Sequence, residues 1–379
     1  MRKHTFIYLM TAGLLGLLAG CSTQRRAGTG PGLPSLKETF HDDFEIGAAL
    51  NSNQIEEKDA DAKTLVPYHF NVVTPENIMK AEVIHPAWDR YDFSMADKLV
   101  DYAQRNNMKV NGHTLIWHSQ LPVFARNIQN VDSFRTFFND HISTVAQRYD
   151  GKVFSWDVVN EALNEDGTMR KSIFLDRLGE NYVTEAFRLA AAASPRSELY
   201  YNDYNNEQPD KRAGCIALIK KIQQAGVRID GVGIQGHWHS GRVPLQDIEA
   251  SIVQYAALGI KVMFTELDIE VLPRNFQGAD ISQQMKDNGK LNPYQNGLPD
   301  SVQQQLAKDY AALFRLFLKH KDKISRVTFW GVNDGQSWLN DWPVRGRTNY
   351  PLLFDRQYKP KPAFFSVLDT KKPANAKAF

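Results

Sequence analysis

The chain has 379 residues, of which 42% are hydrophobic and 23% charged, with a formal net charge of +2. These are the proportions of a globular protein with room for one sizeable core. A charge so close to balance offers no basic field for nucleic acid or for an anionic membrane surface.

Arg2 and Lys3 open the chain and an apolar run follows from Phe6 to Leu18. It is shorter than the roughly 20 residues of a comfortable membrane span. It closes in Leu18-Ala19-Gly20-Cys21, which resembles a bacterial lipobox. Residues 1–20 are therefore expected to be a lipoprotein signal peptide, with Cys21 as the lipidated first mature residue. Residues 21–35 are rich in Gly, Pro, Ser, Thr and Arg and read as a flexible tether. The expected location is exported, membrane-anchored through lipid alone, at the outer membrane or cell surface of a bacterium. Cys215 is the only other cysteine. It falls in a helical pattern and reads as a small buried apolar residue, so a lipidated Cys21 leaves no intrachain disulfide.

From residue 36 to 379 no linker or composition shift divides the chain, which reads as one domain. Short apolar strands are predicted at 45–50, 70–74, 109–115, 153–159, 199–203, 231–235, 261–265 and 326–330. Helical patterns lie between them, at 96–105, 131–149, 182–193, 212–225, 245–257 and 301–320, with a last helix after Pro362. In the 301–320 segment Leu306, Tyr310, Leu313, Phe314 and Phe317 recur at spacings of three and four, which gives a one-faced helix. Eight strands alternating with helices point to an α/β fold, a closed (β/α)8 barrel of the TIM type. A doubly wound open sheet has the same periodicity. Residues 272–300 form a long polar stretch after the seventh strand. Loops of this length are usually functional or disordered, and this one is expected to border the catalytic face, shaping the leaving-group side or restricting access.

In a barrel, reactive residues sit where strands end. Here polar and aromatic residues gather at those ends, as a wet aromatic cleft requires. Stacked aromatic faces with polar edges suit sugars, although a core uses aromatics too. Cleaving a glycosidic bond needs two carboxyl groups, and Glu161 and Glu266, on the fourth and seventh strands, are the best pair. Gln235 and His237 share one strand face by period two, as do Glu266 and Asp268. A histidine beside Glu266 and held by Asp268 would have its tautomer fixed. Asn160 and Glu161 are adjacent, so both reach one site only at a strand end or a bulge. Glu76, Asn77, Lys80, His113 and Gln120 are donors and acceptors of the kind that bind sugar hydroxyls. Trp117, Trp330 and Trp338 are either core fillers or sugar platforms, and His118 has no assigned role. No phosphate loop, metal-ligand spacing or nucleophile elbow occurs, so neither cofactor nor metal is expected.

The motifs TPENIMK, GHTLIWHSQLP, WDVVNEAL, NDYN, GIQGHWH, FTELDI and TFWGVNDGQSW occur in this order. In them the chain resembles glycoside hydrolase family ten, the barrel xylanases, over residues 36–368. The resemblance implies a retaining endo-β-1,4-xylanase acting on xylan and xylo-oligosaccharides as a monomer. It makes Glu161 the acid/base and Glu266 the nucleophile, with His237 and Asp268 in support and Gln235 between the carboxylates. It places Glu76, Asn77, Lys80, His113, Trp117 and Gln120 on the non-reducing side of the cleaved bond, and Trp330 and Trp338 over the sugar at the point of cleavage. Tyr204 and Asn205 fall toward the leaving group, and the His113–Thr114 peptide is implied to be cis. The chain departs from the family pattern at Ala81, often Trp, and at Asn333, often Thr. A barrel hydrolase of β-glucan or mannan is the first alternative, and the GHTLIWHSQLP and TPENIMK motifs argue against it. A non-catalytic xylan-binding lipoprotein is the second, and the presence of both carboxylates argues against that.

Overall fold

The computed structural model describes residues 28, 30, 32–274, 278–286 and 289–372. The expected signal segment, Cys21 and residues 22–27 lie outside the described residues.

Nine strands form one sheet: β1 (Glu45–Leu50), β2 (Val72–Pro75), β3 (Lys109–Trp117), β4 (Ser155–Asn160), β5 (Glu198–Asp203), β6 (Gly231–Ile234), β7 (His237–His239), β8 (Lys261–Glu270) and β9 (Ile324–Phe329). All pairings are parallel. β1 pairs with β9 and β6 with β8, so the sheet closes on itself and the open-sheet alternative falls. β6 and β7 are one barrel strand interrupted at Gln235–Gly236, and β7 continues beside β8. The eight predicted strands are all present. The third and seventh run further than predicted, to Trp117 and Glu270. The added residues are paired with neighbouring strands, Ile116 and Trp117 with β4 and Asp268–Glu270 with β7.

The helices form the outer layer. In the helix Asp300–Lys319 all five periodic residues are buried, as their spacing requires. Phe317 stacks on Phe264 of β8, with ring centroids 4.1 Å apart. Burying each such side chain contributes about 1.5–3 kcal/mol. Asn130 starts the helix Val131–Arg148 by accepting a hydrogen bond from the Ser133 amide at 2.9 Å, which satisfies one of the free N–H groups of the first turn. Gly112 lets β3 approach Trp156 of β4, since a Cβ there would lie 2.2 Å from the indole ring. Cys215 is buried in the helix Pro209–Gln224.

The barrel interior carries a polar chain up its axis. Arg326 donates to Ser155 Oγ at 3.1 Å, Ser155 donates to Asn111 Oδ1 at 2.6 Å, and Asn111 donates to Asp157 Oδ2 at 3.0 Å. These groups are buried, and the bonds between them offset part of the cost of burying them, while Arg326 Nε and Asp157 Oδ1 are left without a partner among the described residues. The chain ends at His113, whose Nδ1 lies 3.0 Å from Asp157 Oδ2.

The described part of the expected tether lies against the barrel. His69 Nε2 is 2.7 Å from the Gly28 carbonyl, and Tyr68 donates to the Leu33 carbonyl at 2.6 Å. Gly28 and Gly32 have φ of 69° and 84°, conformations open to glycine that turn the chain onto this surface. Composition marks such a stretch as linker because it carries no information about partners elsewhere in the chain.

Candidate active site

Every candidate residue of the barrel except Asp268, Tyr204 and Asn205 lines one cavity of about 240 Å³ at the carboxyl ends of the strands. Glu161 and Glu266 face it from β4 and β8. The expected difficulty of bringing Asn160 and Glu161 to one place is resolved by the backbone. β4 ends at Asn160 after a register shift between Asp157 and Val159, and Glu161 takes a left-handed φ of 59°. Gln120 and Asn205 also have positive φ, 46° and 54°. Non-glycine residues in this region carry a strain of order 1–3 kcal/mol, a feature that clusters at working sites. The His113–Thr114 peptide is cis, as the resemblance implies.

The two carboxyls have different surroundings. Glu161 accepts from Trp117 Nε1 at 2.9 Å on one oxygen, and from Gln235 Nε2 at 3.1 Å and Asn160 Nδ2 at 3.2 Å on the other. Burial is the largest influence on it and holds its pKa above the usual range. The donated bonds and the charge of Arg170 only partly oppose this, and Glu266 adds to it. Glu266 accepts from Asn202 Nδ2 at 2.8 Å, and its other oxygen lies 3.3 Å from His237 Nε2. Burial pushes Glu266 up as well, but hydrogen bonding and charge from His237, with His113 and Asn202, outweigh it and leave the pKa below the usual range. Desolvation alone would raise both groups; the difference comes from the cation beside one of them.

That cation is itself held in place. His237 Nδ1 lies 3.0 Å from Asp268 Oδ1. Burial would lower the imidazole, yet Asp268 and Glu266 raise it to about 10, so it is an imidazolium donating to both carboxylates. Asp268 is kept in line by Trp338 Nε1, which donates to its other oxygen at 2.8 Å. Trp338 stacks on Trp342 with centroids 4.6 Å apart, and Trp330 meets the His113 ring edge-on at 5.3 Å. Both indoles therefore wall the cavity and also brace its polar groups.

On the far side of Trp117, Lys80 donates to Asn77 Oδ1 at 3.0 Å and Gln120 Oε1 at 2.8 Å, and lies 4.7 Å from the Trp117 ring centroid. Burial lowers its pKa against the pull of Glu266, Glu76, Glu161 and Glu82. Burial raises Glu76. Tyr204 and Asn205 stand outside this cavity. Tyr204 accepts from Arg170 at 2.6 Å, Asn205 donates to Glu165 at 2.9 Å, and Asn205 lines a neighbouring cavity of about 310 Å³ that shares His237. Among the described residues no group of three or more His, Cys, Asp or Glu side chains is arranged to hold a metal ion.

Four residues of the site escaped the sequence reading. Asn202 donates to both Glu266 and Asn160, the latter at 2.9 Å; its place at the end of the fifth strand was the available signal. Asp157 aims His113, and only its position in the interior of β4 hinted at this. Ala279 and Ile281, from the long polar stretch, form part of the cavity wall. The Asp280–Arg170 ion pair at 3.4 Å and the Arg274 bond to the Gly278 carbonyl at 2.7 Å hold that segment. The stretch is expected to border the catalytic face, and it does; what a loop without periodicity does not announce is which of its residues turn inward.

Two carboxyl groups on one cavity, one with its pKa raised by burial and the other with its pKa lowered by a neighbouring imidazolium, are the pairing that glycosidic bond cleavage requires, and with the indole walls they place the chain among the glycoside hydrolases built on barrels. The family model for glycosyl hydrolase family 10 matches residues 35–370, and the chain belongs to that family. Endo-1,4-beta-xylanase A of Xylanibacter ruminicola is 44% identical over 342 residues, which span 88% of this chain and 93% of that relative. The beta-1,4-xylanase of Dictyoglomus thermophilum is 42% identical over 340 residues, with 89% and 91% covered. Among solved structures, an endoxylanase retrieved from a sugarcane soil metagenome matches with a TM-score of 0.85 at 40% identity, covering 88% of this chain and 99% of its own. Xylanase XynB of Paenibacillus barcinonensis, solved with a conduramine derivative, matches at 0.80 and 34% identity, with 89% and 99% covered.

Proposed function

We propose that this chain hydrolyses internal β-1,4-xylosidic bonds of xylan and xylo-oligosaccharides with retention of configuration. Glu161 is the acid/base and Glu266 the nucleophile. The observation that carries this assignment is the contrast between the two carboxyls on one cavity: Glu161 is buried against the Trp117 indole at 2.9 Å, while Glu266 lies 3.3 Å from the His237 imidazole, surroundings that push their pKa values in opposite directions. In the first step Glu161 protonates the leaving oxygen while Glu266 attacks the anomeric carbon and forms a glycosyl ester. In the second, Glu161 takes a proton from water, which displaces Glu266. His237 and Asp268 hold the nucleophile, Gln235 and Asn160 hold the acid, and Lys80, Asn77, Gln120, Glu76 and His113 bind hydroxyls on the non-reducing side. The relatives named as xylanases support this substrate. Assay on xylan, glucomannan and cellulose, with proton NMR of the first product, tests it. Xylan should be cleaved with the β-anomer formed first. Preference for glucomannan or cellulose would point to a β-glucan or mannan hydrolase, binding without cleavage to a non-catalytic role, and an α-anomer formed first would sink retention.

We further propose that residues 1–20 are a lipoprotein signal, that Cys21 carries the lipid, and that the protein is exported and membrane-anchored. The motif at Cys21 supports this reading. Cys21→Ala is expected to move activity from the membrane fraction to the soluble fraction with the rate on xylan unchanged. An unchanged distribution between the fractions would count against the anchor.

A further inference from the structure

The left-handed turn at Glu161 is held from behind the sheet. The Glu161 amide donates to the Asn202 carbonyl of β5 at 2.9 Å, and the Ala162 carbonyl accepts from the Arg170 amide at 2.7 Å. The Ala162 amide, one residue past the carboxyl, does not bond to backbone. It donates to the Tyr201 hydroxyl at 3.1 Å. Tyr201 and Asp203 share one face of β5 by period two, opposite to Asn202, which points to the carboxylates. Both are fully buried, and Tyr201 donates its proton to Asp203 Oδ2. Lys211 pairs with the other Asp203 oxygen at 3.0 Å. A phenol has one proton and two lone pairs. With the proton committed to Asp203, the oxygen that meets Ala162 presents a lone pair. The polarity of the chain Asp203, Tyr201, Ala162 is thereby fixed.

We propose that Tyr201 is a positioning residue for Glu161: its hydroxyl, oriented by Asp203, clamps the Ala162 amide and so fixes the turn that aims the acid/base into the cavity. This rests on the acid/base role proposed for Glu161. Tyr201 is fully buried and does not line the cavity, so its hydroxyl acts only through the placement of that carboxyl. Burial raises Asp203, and Lys211 is the strongest opposing influence, so the clamp draws on a carboxylate that has its own buried counter-ion.

Tyr201→Phe removes the hydroxyl and keeps the ring. Misplacing a catalytic group by a fraction of an ångström to one ångström costs about 10- to 100-fold. We therefore expect kcat/KM on xylopentaose, which needs the acid, to fall about 10- to 100-fold. On dinitrophenyl β-xylobioside, whose leaving group needs no proton in the first step, kcat/KM should stay within about twofold of wild type. In the Glu161→Ala background the same change should cost nothing further on either substrate. If Tyr201→Phe does not fold, Asp203→Asn carries the test, with the same split expected at smaller size. Equal loss on both substrates, loss on neither, or a further loss in the Glu161→Ala background overturns the clamp. Glu161→Ala alone separates the two claims. If it shows no leaving-group dependence, the acid/base reading falls; if it does and the Tyr201 variant does not, only the clamp falls.

Discussion

Replacing Glu266 with Ala is expected to lower xylan hydrolysis by about 10⁵-fold or more, because no other group can form the glycosyl ester. The loss should be comparable in kind on activated aryl xylobiosides, since attack is required whatever the leaving group. Azide should enter the vacated space on the face opposite the departing aglycone and give the α-glycosyl azide from a dinitrophenyl substrate. His237 loses one of the two carboxylates that raise its pKa, so its titration, followed by NMR, should move down in the variant. Rates on aryl substrates close to wild type would remove Glu266 from the nucleophile role.

Removing Glu161 is expected to act selectively. On xylan, loss of proton donation should cost about 10²–10⁴-fold. On dinitrophenyl β-xylobioside the first step should proceed nearly unimpaired, and the glycosyl ester should then accumulate as a burst, since water has lost its base. Azide needs no base. It should displace Glu266 from the ester, release the carboxylate and give the β-glycosyl azide. The pH profile supplies an independent check. Activity in the wild type should fall on the acid side as Glu266, held below its usual range, takes up a proton. It should fall on the alkaline side as Glu161, held above its usual range, loses one. In Glu161→Ala the alkaline limb on the dinitrophenyl substrate should disappear while the acid limb stays. A variant equally slow on both substrates, with no azide product, would rule out the acid/base assignment.

Much of this design is legible in the sequence because barrels segregate information. Alternation of short apolar runs with helical periods identified all eight barrel strands, and the first was bounded correctly at Glu45–Leu50. Reading strand ends gathered the cavity residues, since the topology sends every such end to one face. What stayed hidden depends on geometry that residue identity does not encode. Nothing in the letters Asn-Glu says that Glu161 adopts a positive φ, as a glycine would have said. Tyr201 and Asp203 point away from the cleft, so a search for cleft residues passes over them. The 272–300 loop is expected at the catalytic face, but that Ala279 and Ile281 are the residues forming cavity wall depends on tertiary contacts, which no local pattern records.

The docking of Gly28 on His69 bears on how the enzyme would sit on a cell. His69 ends the helix Ala60–His69 that leads into the start of β2, so the chain joins the barrel at its base, opposite the catalytic mouth. Only residues 22–27 lie between Cys21 and Gly28, a leash that reaches at most about 25 Å when fully extended. Under the proposed lipid anchor, this leash would hold the base of the barrel within that distance of the lipid. The cleft would face outward, presented to a polysaccharide arriving from outside, with the barrel itself as a spacer between membrane and substrate.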